Sequence, residues 1–172
     1  RVVFLNELLK KNFKKIFYLD CDSIIRSNIA KEIIKQPEAD ISIIFRHQGD
    51  ERSKVATGAI LLKNNNNTKK FIERWKEKIQ PVQQFWFSDQ ITFYETYNET
   101  KTFINFCDLP YEMNDWNFYE KSKVWAGKGS RKKDNLIYLV ELLKNRLRSN
   151  QIKNFLFKVQ KFLRKLNLYK ET

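Results

Sequence analysis

The chain has 172 residues, of which 42% are hydrophobic and 15% aromatic, with only four glycines and three prolines. These proportions exclude an intrinsically disordered chain and predict a compact unit of helices and strands. No apolar run approaches the ~20 residues that a membrane-spanning helix needs. The two cysteines, Cys21 and Cys107, lack metal-binding spacing, and we expect free thiols in a reducing compartment.

The net charge of +13 is concentrated at one end of the chain. Residues 131–172 contain 12 basic and 3 acidic side chains, whereas residues 1–130 contain 21 and 17. A basic tail on a nearly neutral body indicates a surface-binding appendage rather than a protein that is covered by nucleic acid.

Helical patterns alternate with short apolar runs along the chain. Apolar spacing predicts a first helix over residues 2–11. The expected capping residues of the later helices are Asn28 for residues 29–35, Asn67 or Thr68 for a helix to about Gln80, and Ser88 for residues 88–97.

Short apolar runs bounded by polar residues predict buried strands. Beyond residue 135 the pattern is helical, in two segments that break near residues 148–150. Alternating strands and helices predict an α/β fold with a mixed sheet. The predicted strands cover residues 15–20, 40–45, 56–63, 102–106 and 122–126.

The sequence FYLDCDSII, residues 17–25, places two acids directly after an apolar strand. In an extended chain, Asp20 and Asp22 point to the same side. At the end of a buried strand they would lie in the crevice where open α/β sheets bind ligands. Because two close carboxylates repel each other unless a cation lies between them, the motif predicts a hard divalent ion with positions left for phosphates.

Two other interpretations of this motif remain open. In one, Asp20 and Asp22 are simply turn residues after a strand. The other is a Mg²⁺-dependent phosphatase that resembles haloacid dehalogenases, with the first Asp as nucleophile and the second as acid. Those enzymes need a later strand that ends in an acidic pair, whereas only Asp108 follows residues 102–106, and Ile24 stands where their motif has Thr or Val. The phosphatase is therefore the second choice.

Four stretches, in order, resemble a nucleotide-sugar glycosyltransferase of the GT-A fold, close to the retaining family-eight type and related bacterial sugar transferases. They are Arg1 with LNELLKKNFKKIFYLDCDSII, ATGAILLKNN at 56–65, FSDQITF at 87–93 and VWAGKGSRKKD at 124–134. The resemblance implies a GT-A-like mixed sheet flanked by helices. Residues 1–134 would be the metal- and donor-binding catalytic part, and residues 135–172 a helical, basic tail.

This resemblance implies transfer of a sugar from a nucleotide-diphosphate donor, with a UDP-sugar expected, to a glycan or lipid-linked acceptor. Mn²⁺ or Mg²⁺ held by Asp20 and Asp22 would act as Lewis acid on the diphosphate, with Asp20 shared with the ribose. Lys128 and Lys132 would add positive charge to the leaving group, aided by backbone N–H groups near Gly129. The alternative for this late loop is a solvated basic turn.

The same resemblance makes Asp89 and Gln90 the catalytic candidates. Asp89 would bind hydroxyls of the donor sugar, and Gln90 would lie near the sugar C1. In the retaining type the departing phosphate takes the acceptor proton, so no dedicated general base is implied. Thr57 and Gly58 would shape the sugar pocket, because Gly58 lets the donor approach the backbone. The alternative for Asp89 is an acid favoured only by the helix dipole.

The late loop departs from the family-eight pattern, in which a His supplies a third protein ligand to the metal. Trp125 and Ala126 occupy that neighbourhood, and His47, the only histidine, is expected to be an exposed loop residue. Relatives also carry a base-binding strand before the segment that Arg1 opens, so the resemblance implies that an N-terminal part is missing.

Residues 150–168 predict a basic amphipathic helix, because seven apolar residues fall at helical spacing and the lysines lie off that stripe. This helix either packs on the domain or lies on an anionic membrane surface. We expect a cytoplasmic protein, peripheral on the inner face of a membrane, in cell-envelope polysaccharide biosynthesis. Nucleic-acid binding is not expected, because no recognition motif is present.

Overall fold

The computed structural model describes residues 1–46, 50–85, 87–127 and 135–147. The chain divides into two compact units, residues 1–126 and residues 127–172. In chain order the elements are α1 (Val2–Leu9), β1 (Lys15–Leu19), β2 (Ser23–Ile25), α2 (Ala30–Lys35), β3 (Ile41–Phe45), β4 (Val55–Lys63), α3 (Asn66–Ile79), α4 (Ser88–Thr100), β5 (Phe106–Asp108), β6 (Val124–Ala126) and, in the second unit, α5 (Leu136–Leu147).

Four strands form a mixed sheet in the order β1-β4-β3-β5. β1 and β3 each run antiparallel to β4, and β5 runs parallel to β3. β1, β3 and β5 therefore point the same way, and their carboxyl ends lie at one edge together with the beginning of β4. The predicted α/β class with a mixed sheet is confirmed. This edge is where open α/β sheets bind ligands.

β4 bulges near this edge. Its pairing with β3 shifts between Ile43 and Ile44, which leaves residues 57–59 without a partner on that side. On the other side β4 stays joined to the end of β1, because the Asp20 N–H donates to the Gly58 carbonyl at 2.9 Å. A bulge of this kind turns side chains away from the regular pleat, and bulges are common next to binding sites.

Apolar side chains cover both faces of the sheet, as alternation along β4 requires. On one face α1, α3 and α4 bury an aromatic cluster in which Phe93 contacts Phe71 and Trp75, with ring centroids 4.8 and 5.0 Å apart. The other face carries a smaller cluster around Leu61 and Leu109. The sheet is thus a rigid platform for its carboxyl edge.

Helix α4 buries a row of hydroxyl groups. Thr92, Thr96 and Thr100 lie four residues apart, and each Oγ1 donates to the carbonyl one turn earlier, at 2.6, 2.7 and 2.7 Å. The indole Nε1 of Trp75 donates to Thr92 Oγ1 at 3.1 Å. These hydroxyls are therefore satisfied although they lie in an apolar interior.

β2 and β6 pair antiparallel as a separate two-stranded ribbon, with Ser23 opposite Ala126. The guanidinium of Arg26 stacks over the Trp125 ring at 3.8 Å and so covers one side of the ribbon. The three-residue strand β2 is absent from the sequence prediction. β2 begins directly after the Asp20–Asp22 motif and so determines the direction of the chain beyond the motif.

The loop between β5 and β6 is held by a buried carboxylate. Asp115 is fully buried, and its Oδ1 accepts from the N–H groups of Asn117 and Phe118, at 2.6 and 3.2 Å. Its Oδ2 accepts from the Tyr119 N–H at 2.6 Å and from the Ser122 hydroxyl at 2.7 Å. Four hydrogen bonds replace the water that a buried charge loses, so the loop has one defined conformation.

None of the three predicted caps holds the cap position. At α2 this position belongs to Ile29, although the Asn28 side chain accepts from the Ala30 N–H at 3.0 Å. Asn65 caps α3, since its side-chain oxygen accepts from the Thr68 N–H at 2.9 Å, and Asn67 lies inside the first turn. Ser88 is the first residue of α4, and the cap position belongs to Phe87, which has a left-handed backbone with φ of 66°. The run of asparagines at the start of α3 and the polar residues at the start of α4 each allowed more than one starting point for the helix.

The strand predicted over residues 102–106 is displaced. It begins at Phe106 and runs to Asp108, because the preceding residues form the turn that ends α4. In this turn the N–H groups of Phe103 and Ile104 both donate to the Thr100 carbonyl at 3.0 Å. Of the apolar residues in this turn that suggested a strand, Ile104 is buried at 3% exposed, whereas Phe103 is 49% exposed.

Two expectations from composition agree with the fold. Cys21 and Cys107 are free thiols. None of the helices in the described ranges has the length and apolarity needed to cross a bilayer.

We predict that Asp115→Asn lowers the free energy of unfolding by about 3 kcal/mol. In this variant an amide N–H₂ group faces hydrogen-bond donors whose bonds a carboxylate oxygen accepts in the unchanged protein. Urea unfolding followed by fluorescence measures the loss. The matched control is Glu112→Gln, the same acid-to-amide change at an exposed residue just upstream. Equal midpoints for the two variants would contradict the structural role of Asp115.

Candidate functional site

A cluster of polar side chains lies at the carboxyl edge of the sheet. Arg1 NH2 donates to Asp20 Oδ1 at 2.6 Å, and Arg1 NH1 donates to Thr57 Oγ1 at 2.6 Å. NH1 also forms an ion pair with Asp89 Oδ2. The Thr57 hydroxyl in turn donates to Asp89 Oδ2 at 2.7 Å. The cluster thereby joins the start of α1, the end of β1, the bulge of β4 and the first turn of α4.

Tyr18 completes the contacts of Asp20. Its hydroxyl donates to Asp20 Oδ1 at 2.8 Å and accepts from Arg1 Nε at 3.2 Å. Burial raises the pKa of Tyr18; Arg1 acts in the opposite direction, and the Asp20 charge adds to the rise. The phenol therefore remains protonated, and Oδ1 of Asp20 receives two donors.

The cluster has a polar, partly shielded environment. The side chains of Arg1, Asp20 and Asp89 are 20%, 31% and 26% exposed, so solvent reaches all three without surrounding them. One guanidinium shared by two carboxylates offsets their mutual repulsion. The two acids can therefore face the same region.

Gly58 lies beside the second oxygen of Asp20. A Cβ on Gly58 would lie 3.2 Å from Asp20 Oδ2 and 3.4 Å from both Nδ2 and Oδ1 of Asn114. The absent side chain therefore lets the carboxylate and the amide lie close to the Gly58 backbone, where a methyl group would be crowded. Thr57, Gly58, Asp20 and Asp89 thus lie together, and their roles toward a donor sugar stay predictions.

Gln90 follows Asp89 in the first turn of α4. It is 9% exposed, and its Oε1 has no hydrogen-bond partner among the described residues. An acid in this first turn also gains from the helix dipole. Asp89 nevertheless has a role beyond its favourable interaction with the helix dipole, because its side chain binds both Arg1 and Thr57.

Asp22 lies in a turn rather than in an extended strand. β1 ends at Leu19, and the Ser23 N–H donates to the Asp20 carbonyl at 3.0 Å. The alternation of side chains in an extended chain therefore does not apply to the two acids. Their convergence on one cation stays a prediction.

The chemistry of the available ligands bears on that prediction. In the described ranges no group of three or more His, Cys, Asp or Glu side chains is arranged around a metal position. Asp20 and Asp22 offer only oxygen atoms, which is the donor type that Mg²⁺ and Mn²⁺ prefer. Two carboxylates fit such an ion when substrate phosphates and water fill its other positions.

Several predicted residues lie outside the described ranges. They are His47 and the three late-loop residues Lys128, Gly129 and Lys132. Their roles stay predictions.

Sequence reasoning assigned no role to Arg1, Tyr18 or Asn114. Arg1 opens the first matched stretch, and its position before an apolar helix was the available signal. Tyr18 reads as one more apolar strand residue. Asn114 lies in a loop without periodicity, and only the fold brings it beside Gly58.

The mixed sheet flanked by helices matches part of a nucleotide-diphospho-sugar transferase fold. Two structures of the glycosyltransferase GlyE from Streptococcus pneumoniae TIGR4 share the fold. The apo form has a TM-score of 0.64 at 11% identity, covering 92% of this chain and 46% of that one. The second structure has a TM-score of 0.63 at 13% identity, with coverage of 91% and 46%. This chain thus spans less than half the length of either.

The family model described as nucleotide-diphospho-sugar transferase matches residues 1–140. The chain belongs to that family. No match is found among curated proteins.

We predict that Thr57→Val costs about 1–2 kcal/mol of unfolding free energy, because it removes a hydroxyl that bridges Arg1 and Asp89. Thr100→Val is the matched control, since that buried hydroxyl bonds only to a carbonyl of its own helix. Denaturant titration of both variants measures the difference. A loss at Thr57 no larger than at Thr100 would show that the bridge contributes nothing to stability.

Proposed function

We propose that the protein transfers a sugar from a nucleotide-diphosphate donor, a UDP-sugar by expectation, to a glycan or lipid-linked acceptor. Family membership supports the reaction class. The observation that carries the proposal is the Arg1 cluster, which holds Asp20 and Asp89 at the ligand-binding edge of the sheet although they come from different elements.

Asp20 and Asp22 would hold the divalent ion. Oδ1 of Asp20 accepts from Arg1 and Tyr18, so Oδ2 is the oxygen that remains for a ligand among the described residues. When bound, Mn²⁺ or Mg²⁺ supplies Lewis-acid charge that stabilises the diphosphate leaving group.

The donor sugar would lie against the bulge of β4. Asp89 presents a carboxylate held by Arg1 and Thr57, and such a fixed acceptor can orient sugar hydroxyls. Gln90 places a buried amide, with an unpaired oxygen, one residue further along α4. Electrostatic contacts in this shielded region are stronger than in water. Whether the anomeric configuration is retained follows from the family-eight resemblance alone.

The late loop would act on the leaving group. Lys128 and Lys132 carry the positive charge that a departing diphosphate requires, and Gly129 permits its backbone N–H to approach a phosphate. These assignments rest on the sequence.

The reaction is tested by Mn²⁺-dependent binding and turnover of a panel of nucleotide sugars with the full-length protein. We expect Asp22→Ala to lower kcat/KM about 100-fold or more, since it removes one of two protein carboxylates from the ion. Glu73→Ala, which removes the same charge from an exposed position on α3, is expected to leave turnover unchanged.

The phosphatase alternative predicts a different pattern. It requires phosphate release from simple phosphomonoesters and indifference to the sugar of the nucleotide. That pattern, or equal turnover of Asp22→Ala and Glu73→Ala, would overturn the transferase proposal.

We also propose that residues 150–168 dock the protein on an anionic membrane, where a lipid-linked acceptor is presented. Binding to phosphatidylcholine vesicles that contain phosphatidylglycerol should weaken about tenfold or more when Lys158 and Lys161 are both changed to Glu. The control changes Lys69 and Lys70 to Glu on the exposed side of α3. Equal vesicle binding by both double variants would contradict docking through the tail.

A further inference from the structure

Asn114 leaves both polar atoms of its side chain unused within the described part of the chain. It is fully buried, and neither Nδ2 nor Oδ1 has a hydrogen-bond partner among the described residues. Leaving a buried amide unpaired is unfavourable, because water once satisfied both atoms. Such a group calls for a partner that the described residues do not supply.

The loop holds Asn114 in place from both sides. Its own N–H donates to the Tyr111 carbonyl at 3.0 Å. The next residue, Asp115, pairs its backbone with β6, donating to the Val124 carbonyl at 2.9 Å and accepting from the Ala126 N–H at 2.7 Å. The carboxylate of Asp115 binds four further donors. The unpaired amide is therefore a fixed feature and not a side chain that swings to another partner.

Asn114 faces the site already described. Both of its amide atoms border the side of Gly58 from which a side chain would project, and Asp20 Oδ2 borders the same place. Nδ2 is a donor, whereas Oδ1 and the carboxylate oxygen are acceptors. The wall around Gly58 thus combines one donor with two acceptors.

This combination selects among the parts of a nucleotide sugar. A phosphate group offers only acceptors and would be repelled by Asp20, and a metal ion would use the amide oxygen but leave the N–H₂ group without a partner. A sugar hydroxyl both donates and accepts, so it can bond to Nδ2 and to one of the oxygens at once. The missing Gly58 side chain lets the Asp20 carboxylate and the Asn114 amide lie together beside its backbone.

We propose that Asn114 is a donor-binding residue that recognises one ring hydroxyl of the transferred sugar, next to Gly58 and Asp20. The proposal rests on the function proposed above and adds a determinant of sugar specificity to it. A site built to hydrogen-bond a hydroxyl discriminates strongly against an analogue that lacks it, because its own polar atoms are then left unpaired.

The test uses the full-length protein, the nucleotide sugar that it turns over best, the set of deoxy analogues of that sugar, and UDP alone. For Asn114→Ala we expect kcat/KM with the parent sugar to fall about 10- to 100-fold. UDP affinity should stay within about twofold. The deoxy analogue that lacks the recognised hydroxyl should be a poor substrate of the unchanged protein. Asn114→Ala should lower kcat/KM with this analogue only slightly further, because the hydroxyl that pairs with the amide is already absent.

Two further variants separate recognition from folding. Asn98→Ala changes an exposed asparagine near the end of α4 and should leave every rate unchanged. Asn114→Asp keeps the shape and one acceptor but places a second negative charge beside Asp20, so it should lose at least as much activity as Asn114→Ala.

The outcomes are distinct. Turnover of a nucleotide sugar with no effect of Asn114→Ala overturns this inference alone. A parallel loss of UDP affinity, of all analogues and of the unfolding midpoint overturns it in favour of a structural role. A full-length protein that neither binds nor turns over any nucleotide sugar overturns the proposed function, and this inference with it.

Discussion

The site depends on one guanidinium placed between two carboxylates. Arg1 contacts Asp20 at the end of β1 and Asp89 in the first turn of α4, and the hydroxyl of Thr57 links the same groups from β4. Without a cation, two acids facing one region would repel each other or take up a proton. The ion pairs offset this repulsion, and they fix the spacing of three elements that are far apart in sequence.

Backbone irregularities bring the remaining groups to this cluster. The bulge at residues 57–59 removes β4 from its pairing with β3 and presents Thr57 and Gly58 at the edge of the sheet. The loop organised by Asp115 brings the amide of Asn114 to Gly58 from the opposite direction. The regular sheet therefore provides rigidity, while a bulge and a loop provide the chemistry.

The regular strands of this protein could be predicted from the sequence, whereas the irregular backbone and its contacts could not. Apolar runs gave β1, β3 and β4 to within one residue, because burial on a sheet demands them. The clustering of Asp20, Thr57, Gly58 and Asp89 followed from motif resemblance. The roles of Arg1 and Asn114 were not predicted, because they arise from contacts between residues that lie tens of positions apart in the sequence. The turn at Asp20–Ser23 was only the alternative interpretation of the motif, since a strand pattern gives no sign of where the extended backbone stops.

The threonine row of α4 has a consequence for how this helix is aimed. The bonds that Thr92, Thr96 and Thr100 donate to carbonyls of their own helix impose no orientation on it. In the described residues, apart from the more exposed Lys78–Glu99 ion pair, the polar side-chain contacts between α4 and its surroundings are the buried Trp75 indole on Thr92 and the partly buried group around Asp89. The contacts at Thr92 and Asp89 lie about one turn apart, so together they constrain the rotation of α4 about its axis. The direction in which Gln90 points is thereby governed in part by a tryptophan on α3.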